Sequence, residues 1–172
     1  MFINSHIASG YLAGTFSKQE SKWVWLLIFS TILPDIDGIW SSTVAGHHSI
    51  LHTPIFWIVI CSISVIIGKF QKRNDIEKGS LIIFAGAMLH LITDWLTART
   101  VGIQWLYPLS QKDFYLFQIQ PEQGQVSIWE MIQNPYFSFY MENAVLFWAE
   151  IGVTFVALSF MLYNNLYDEI SN

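Results

Sequence analysis

The sequence predicts an all-α polytopic membrane helix bundle with four to five membrane helices and an aromatic-rich extracytoplasmic loop. Composition is the first reason. Of 172 residues, 53% are hydrophobic and 12% charged, where a soluble domain carries about 25% charged residues, and the mean hydropathy is +0.41. Run length is the second, because several apolar stretches approach the ~20 residues that cross a bilayer. The third is the gathering of basic residues into two short turns. A net charge of −5 disfavours a nucleic-acid surface, which must neutralise phosphates. A single cysteine, Cys61, excludes an intramolecular disulfide framework and any cysteine-based zinc cluster.

Taken in order, residues 3–17 form the weakest stretch, short and rich in glycine and serine, with His6 near its start. The first residues lack a basic n-region and the first long apolar run begins at Trp23, so a retained N-terminus is expected rather than a cleaved signal. Residues 22–40 are apolar until Pro34 and then carry Asp35 and Asp37. Proline ends or bends a helix, so these carboxylates should project from a helix end. Residues 53–68 come close to a span and gain length from Leu51 and His52. Residues 79–97 are long enough but hold His90 and Asp94 in their second half. Residues 144–163 are the clearest span, with Glu150 as their one charge. Residues 98–143 contain ten aromatics and turn signals at Pro108, Pro121, Gly124 and Asn134-Pro135. That composition suits an interfacial loop anchored by rings at headgroup level, a lid over a site, or both. The whole of residues 1–172 is expected to be one membrane-embedded domain.

Orientation follows from Lys18 and Lys22 in one turn and Lys69, Lys72, Arg73 and Lys78 in another, six of the eight basic residues. The positive-inside rule places those turns in the cytoplasm. The last helix then returns inward, leaving the acidic tail with Asp168 and Glu169 on that side. At about 1.5 Å per residue, His6 and Asp35 lie about 21 and 22 Å from the first turn. His52, His90 and Asp94 lie about 26, 18 and 24 Å from the second. Independent segments therefore bring these side chains to one level, near the extracytoplasmic surface of the cell membrane.

Ionisable residues within membrane segments are expensive and rarely face lipid. Here they form a set: Asp35 and Asp37 in LPDID; His47, His48 and His52 in GHHSILH; and His90 with Asp94, one helical turn apart. His48 and His52 are i,i+4 neighbours, and His47 can join from the preceding loop. Imidazole and carboxylate without thiolate is the ligand set of catalytic zinc and related divalent ions, since structural zinc sites usually use cysteine. Each motif alone is weak; together, in a chain so poor in charge, they point to His6, Asp35, Asp37, His47, His52, His90 and Asp94 as metal ligands. Ser49, Thr53, Thr93 and Thr97 are placed either to hydrogen-bond ligands or to cap helices. Glu142 is a bridging ligand or base, or simply a helix-start glutamate favoured by the dipole; Glu150 reads as a buried polar contact.

The sequence resembles the YdjM-type inner-membrane metal-dependent hydrolases. The resemblance rests on Ser5-His6-Ile7, on Leu33 to Asp37, on Gly46 to His52, and on His90 to Thr97 with Gly102 and Pro108. These blocks cover roughly the first 110 residues. The resemblance departs in one block, where His48 stands in the place of an arginine and His47 and His52 match the motif histidines. His48 is thus an extra ligand, a proton shuttle or a supporting hydrogen-bond donor, and Arg99, nearby in sequence, could substitute for the missing arginine in any phosphate contact. The motif layout is also distantly similar to zinc-dependent phospholipase C and single-strand nucleases, all-helical enzymes that cleave phosphoesters.

The expected function is hydrolysis of an ester or phosphoester of a lipid or amphipathic substrate. One or more divalent metals, zinc before others, would acidify a water, with Asp35, Asp37 and His48 as catalytic residues. The alternatives are a non-enzymatic metal or proton transporter and a metal-stabilised membrane adaptor. The lower halves of the helices offer little polar path beyond serine, threonine and Cys61, which disfavours transport. No G-x-S-x-G, HExxH, P-loop or GxGxxG motif is present.

Overall fold

A computed structural model describes residues 2–127, 129–130, 133 and 136–171. The expected turn at Asn134-Pro135 lies outside the described residues, as do the side chains of Tyr136, Phe137, Asp168 and Glu169. Among the described residues every regular element is helical. The helices are α1 (Ile3–Phe16), α2 (Ser21–Ser30), α3 (Val44–His47), α4 (Pro54–Gln71), α5 (Asn74–Thr97), α6 (Tyr136–Glu142) and α7 (Ala144–Ser171). Three helices are long and apolar enough to cross a membrane: α4, α5 and the Ala144–Asn164 part of α7. The shorter α1 and α2 have 14 and 10 residues.

Local chemistry sets these boundaries. Thr53 is extended and Pro54 opens α4, at the one helical position where a missing N–H costs nothing. The helix closes on Lys72 in the left-handed conformation (φ 56°), and Arg73 then restarts the chain into α5. Asp75 and Glu77 lie in the first turn of α5, where the helix dipole favours negative charge. A second left-handed lysine, Lys18 (φ 53°), closes α1 before α2. The segment expected at 22–40 does not continue as one helix. It ends at Ser30 and becomes a 3₁₀ turn, Leu33–Ile39, because Pro34 lacks the N–H that a continuing helix requires. The stretch from His47 to His52 is likewise broken: α3 stops at His47, Ser49 is extended, and a 3₁₀ turn carries Ile50–His52.

The helices pack in the spatial order α4, α5, α2, α1, α7. Small residues set the spacing. A Cβ on Gly86 would sit 2.4 Å from Ser30 Cβ, and one on Gly10 would sit 3.0 Å from Ile28 Cα, so α2 approaches α5 and α1 as closely as backbones allow. Trp57, Cys61, Ala87, Leu91 and Ile103 form the buried apolar cluster on the α4–α5 side. Outward faces remain apolar: Ile58, Ile63 and Ile66 on α4 and Val145, Phe155 and Leu158 on α7 are exposed, as lipid-facing helices require.

The two basic turns lie at one end of the bundle, where Lys22 and Lys78 both stand 5.0 Å from the Trp23 ring. Residues 98–120 leave the other end through an isolated antiparallel bridge between Ile103 and Phe114. The 3₁₀ turn Pro121–Gly124 then returns over the start of α3, and Val44 N–H donates to Val126 O at 2.8 Å. The aromatics of this segment divide. Phe139 is buried and Trp105 meets Trp95 edge-on, while Trp129 and Tyr115 are exposed.

A candidate metal centre

The titratable residues singled out in the sequence come from several separate short stretches, and the close packing above brings most of them together. His6 lies on α1, Asp35 in the 3₁₀ turn after α2, His47 at the end of α3, His52 just before α4, and His90 and Asp94 on α5. The Nε2 atoms of four histidines face Asp35: His47 and His52 at 3.5 Å, His90 at 3.6 Å and His6 at 3.9 Å. Three of them also face Asp94: His90 at 3.0 Å, His6 at 3.1 Å and His52 at 3.7 Å. His90 Nε2 and His52 Nε2 are 3.2 Å apart. His6 and His90 stack at 3.9 Å between ring centroids.

The other ring nitrogen of each histidine is turned away to a backing group. His90 Nδ1 donates to Thr31 O at 2.8 Å, and His47 Nδ1 donates to Val44 O at 2.5 Å. His6 Nδ1 meets Thr93 Oγ1 at 3.3 Å. Since the Thr93 hydroxyl donates to the carbonyls of Leu89 and His90, the imidazole is the donor there. His52 Nδ1 makes no hydrogen bond but stands 3.6 Å from Asp37 Oδ2, and Ser49 Oγ donates to that same oxygen at 2.6 Å. A proton fixed on Nδ1 leaves the Nε2 lone pair pointing inward. Backing of this kind, including a carboxylate behind one imidazole, is the arrangement that orients metal-binding histidines.

The cluster concentrates ligand-type atoms at one buried point. His90 Nε2 lies 3.2 Å from His52 Nε2 and 3.0 Å from an Asp94 carboxylate oxygen. His6, His52, His90, Asp37 and Asp94 are all buried, and buried charge needs a partner. Two groupings have donor atoms within 4.8 Å of one another: His6, Asp35, His90 and Asp94, and His47, His48 and His52. The donor set of imidazole and carboxylate therefore fits a divalent ion of the zinc type.

Some expected residues stand elsewhere. Asp37 lies behind His52, outside both groupings, and acts on it from the Nδ1 side. His48 stacks on His52 at 4.3 Å rather than following it at helical spacing, and burial, with His52 and His47 beside it, pushes its imidazole well below the usual range. Thr53 and Thr97 bond to backbone carbonyls within their own segments, whereas Ser49 and Thr93 touch cluster residues. Glu142 is exposed. Glu150 is buried and pairs with Arg99 Nη1 at 2.6 Å. Thr31 was not visible as a site residue in the sequence. Its hydroxyl donates toward His6 O and Ile28 O while its carbonyl receives His90, so one threonine ties α1, α2 and α5 behind the cluster. A hydroxyl at the end of an apolar run, two residues before the LPDID block, was the available signal.

The small cavity over the cluster, about 60 Å³, is lined by Asp35, His47, His48, Asp94, Arg99 and Tyr140 among others. Burial pushes the Tyr140 hydroxyl up to about 12, so it stays protonated.

Comparison with known proteins places the chain among inner membrane proteins. The chain matches the YdjM inner membrane protein family over residues 1–166 and belongs to that family. It is similar to the inner membrane protein YbcI of Escherichia coli (strain K12), 28% identical over 94 residues, 51% of this chain and 54% of that protein. The chain thus spans about half the length of that curated relative. No solved structure matches it.

Proposed function

We propose that this member of the YdjM family is a membrane-bound metal-dependent hydrolase acting on an ester or phosphoester of a lipid or amphipathic substrate. The observation that carries the reading is the convergence of four Nε2 atoms on Asp35, three of them also facing Asp94, with the Nδ1 atoms of His6, His47 and His90 bonded outside the cluster. His6, His47, His52, His90, Asp35 and Asp94 would hold one or more divalent ions, zinc first. A bound ion supplies Lewis acidity and an acidified water at neutral pH.

The chain's own residues do the rest. Asp35, whose side chain is 22% exposed, is the more accessible of the two cluster carboxylates that line the cavity and accepts the proton of the attacking water. Asp37 holds His52 in place through its Nδ1 edge. His48 borders the same cavity, where it can relay the proton outward. The α1–α2 pair accompanies the three long helices, giving four to five membrane segments. The cluster faces the extracytoplasmic side, opposite the basic turns, with residues 98–143 as its lid.

Metal analysis of the purified full chain, followed by turnover on a panel of phospholipids and phosphodiesters with and without chelator, tests this. Stoichiometric metal and chelator-sensitive turnover are expected. No metal, or metal retained after His90→Ala with Asp94→Ala, overturns the metal site; metal without turnover on any ester overturns the hydrolase.

A further inference from the structure

Arg99 is 7% exposed, and its Nε and Nη2 atoms are buried with no hydrogen-bond partner. The remaining nitrogen, Nη1, is fully used: it donates to Glu150 Oε1 at 2.6 Å and to Thr97 O at 3.3 Å. Glu150 is committed in turn, its Oε2 receiving the Phe2 N–H at 2.8 Å. The guanidinium carbon lies 5.2 Å from the centre of the Tyr140 ring and 5.8 Å from that of Phe2. Carboxylate and rings thus fix the guanidinium.

What they leave free is informative. Nε and Nη2 lie on the same side edge of a guanidinium, the fork that makes two parallel bonds to a carboxylate or phosphate. Leaving two charged donors unpaired and buried is costly, and a purely structural Arg–Glu pair gives no reason for it. Arg99 also lines both the small cavity over the cluster and a neighbouring cavity of about 400 Å³ that includes Phe139, Val145 and Leu146. Val145 and Leu146 continue into a third hollow, about 330 Å³, formed with Leu96, Phe117, Ala149 and Val153. That hollow presents only apolar surface and lies between α5 and α7, two of the three helices able to cross a membrane.

We propose that Arg99 is the anion anchor of a lipid phosphoester, its free edge holding the phosphoryl oxygens while the lipid's chain occupies the α5–α7 groove. This deepens the hydrolase reading by naming the substrate class: a phosphoryl group on a hydrocarbon chain, placed beside Asp35 and the histidines. Substrate recognition then comes from residues that hold no metal.

The test is equilibrium binding to the full chain in an uncharged detergent, with metal-loaded and chelator-treated protein in parallel. The probes are a fluorescent phosphatidic acid, a diacylglycerol of the same chain length, and inorganic phosphate. Phosphatidic acid is expected to bind saturably and at least about tenfold tighter than diacylglycerol, with inorganic phosphate displacing it only at much higher concentration. Arg99→Lys keeps the charge but loses the fork; it should weaken phosphatidic acid about tenfold or more, leave diacylglycerol unchanged and leave metal content unchanged. Ala149→Trp, which fills the groove, should weaken both lipids and spare inorganic phosphate. Wild-type protein that binds diacylglycerol as tightly as phosphatidic acid, or Arg99→Lys protein that binds phosphatidic acid like wild type, overturns the anchor. Inorganic phosphate binding as tightly as phosphatidic acid assigns the edge to free phosphate and overturns the lipid. The chelator-treated arm keeps these outcomes readable if the chain proves to bind no metal.

Discussion

Two buried polar groupings share one end of the bundle, and they are built from different groups. Arg99 and Glu150 set one cation against one anion, 2.6 Å apart, with the second carboxylate oxygen met by a backbone N–H and the Nε–Nη2 edge of the arginine left without a partner. The histidine–aspartate cluster is built otherwise. The Nδ1 atoms of His90, His47 and His6 face outward to Thr31, Val44 and Thr93, while their Nε2 atoms face Asp35. One grouping thus sets a guanidinium against a carboxylate, and the other gathers buried imidazoles and carboxylates, the donor types that hold divalent ions.

The sharpest way to separate the two groupings is to remove donors from one of them. His90→Ala combined with Asp94→Ala should drop bound metal to background by elemental analysis while the Arg99–Glu150 pair, and any lipid binding that depends on it, persists. Glu150→Ala runs the comparison the other way. It leaves a buried guanidinium without its counter-charge, expected to cost about 3–5 kcal/mol in reversible unfolding in mixed micelles, with metal stoichiometry unchanged. If Glu150→Ala also emptied the metal site, the two groupings would be one coupled network and the contrast would fail. Between these lies Asp37→Asn, which keeps the shape behind His52 but removes the charge. Loss of such a backing partner typically weakens metal binding about 10–100-fold, readable by competition with a chelating dye. Wild-type affinity in that variant would mean that Asp37 does not orient His52.

Much of the cluster was legible because the chain has so few ionisable groups to distribute. His90 and Asp94 one turn apart on a helix, and a proline ahead of Asp35, are local statements, and the structure keeps both. The one-level arrangement of His6, Asp35, His52, His90 and Asp94 followed from counting along helices away from the basic turns. Roles were less legible than positions. Asp35 and Asp37 read alike in LPDID, yet a 3₁₀ turn sends one into the cluster and the other behind His52. His48 and His52 looked like helical neighbours, but Ser49 breaks the helix and the rings stack instead. The Arg99–Glu150 contact joins residues 51 apart in sequence, so no local pattern could announce it. The lengths of α1 and α2 depended on where Lys18 and Pro34 end them, a boundary question that hydropathy alone does not settle.

Thr31→Val is the smallest and most discriminating change. Valine keeps the shape but lacks the hydroxyl that reaches His6 O at 2.9 Å and Ile28 O at 2.8 Å. Losing a buried hydrogen bond of this kind should cost about 1 kcal/mol of stability. Metal affinity should nevertheless stay within about threefold of wild type, because the group that fixes the His90 tautomer is the Thr31 carbonyl, which the substitution leaves in place. Asp37→Asn and Thr31→Val therefore make a matched pair. One alters the group that faces a ligand nitrogen and should change metal affinity with little loss of stability. The other alters a side chain that only braces helices and should do the reverse. Equal effects of both variants on metal affinity would mean that the cluster is held by the packing of α1, α2 and α5 as a whole, and that its histidines are not individually oriented by their backing partners.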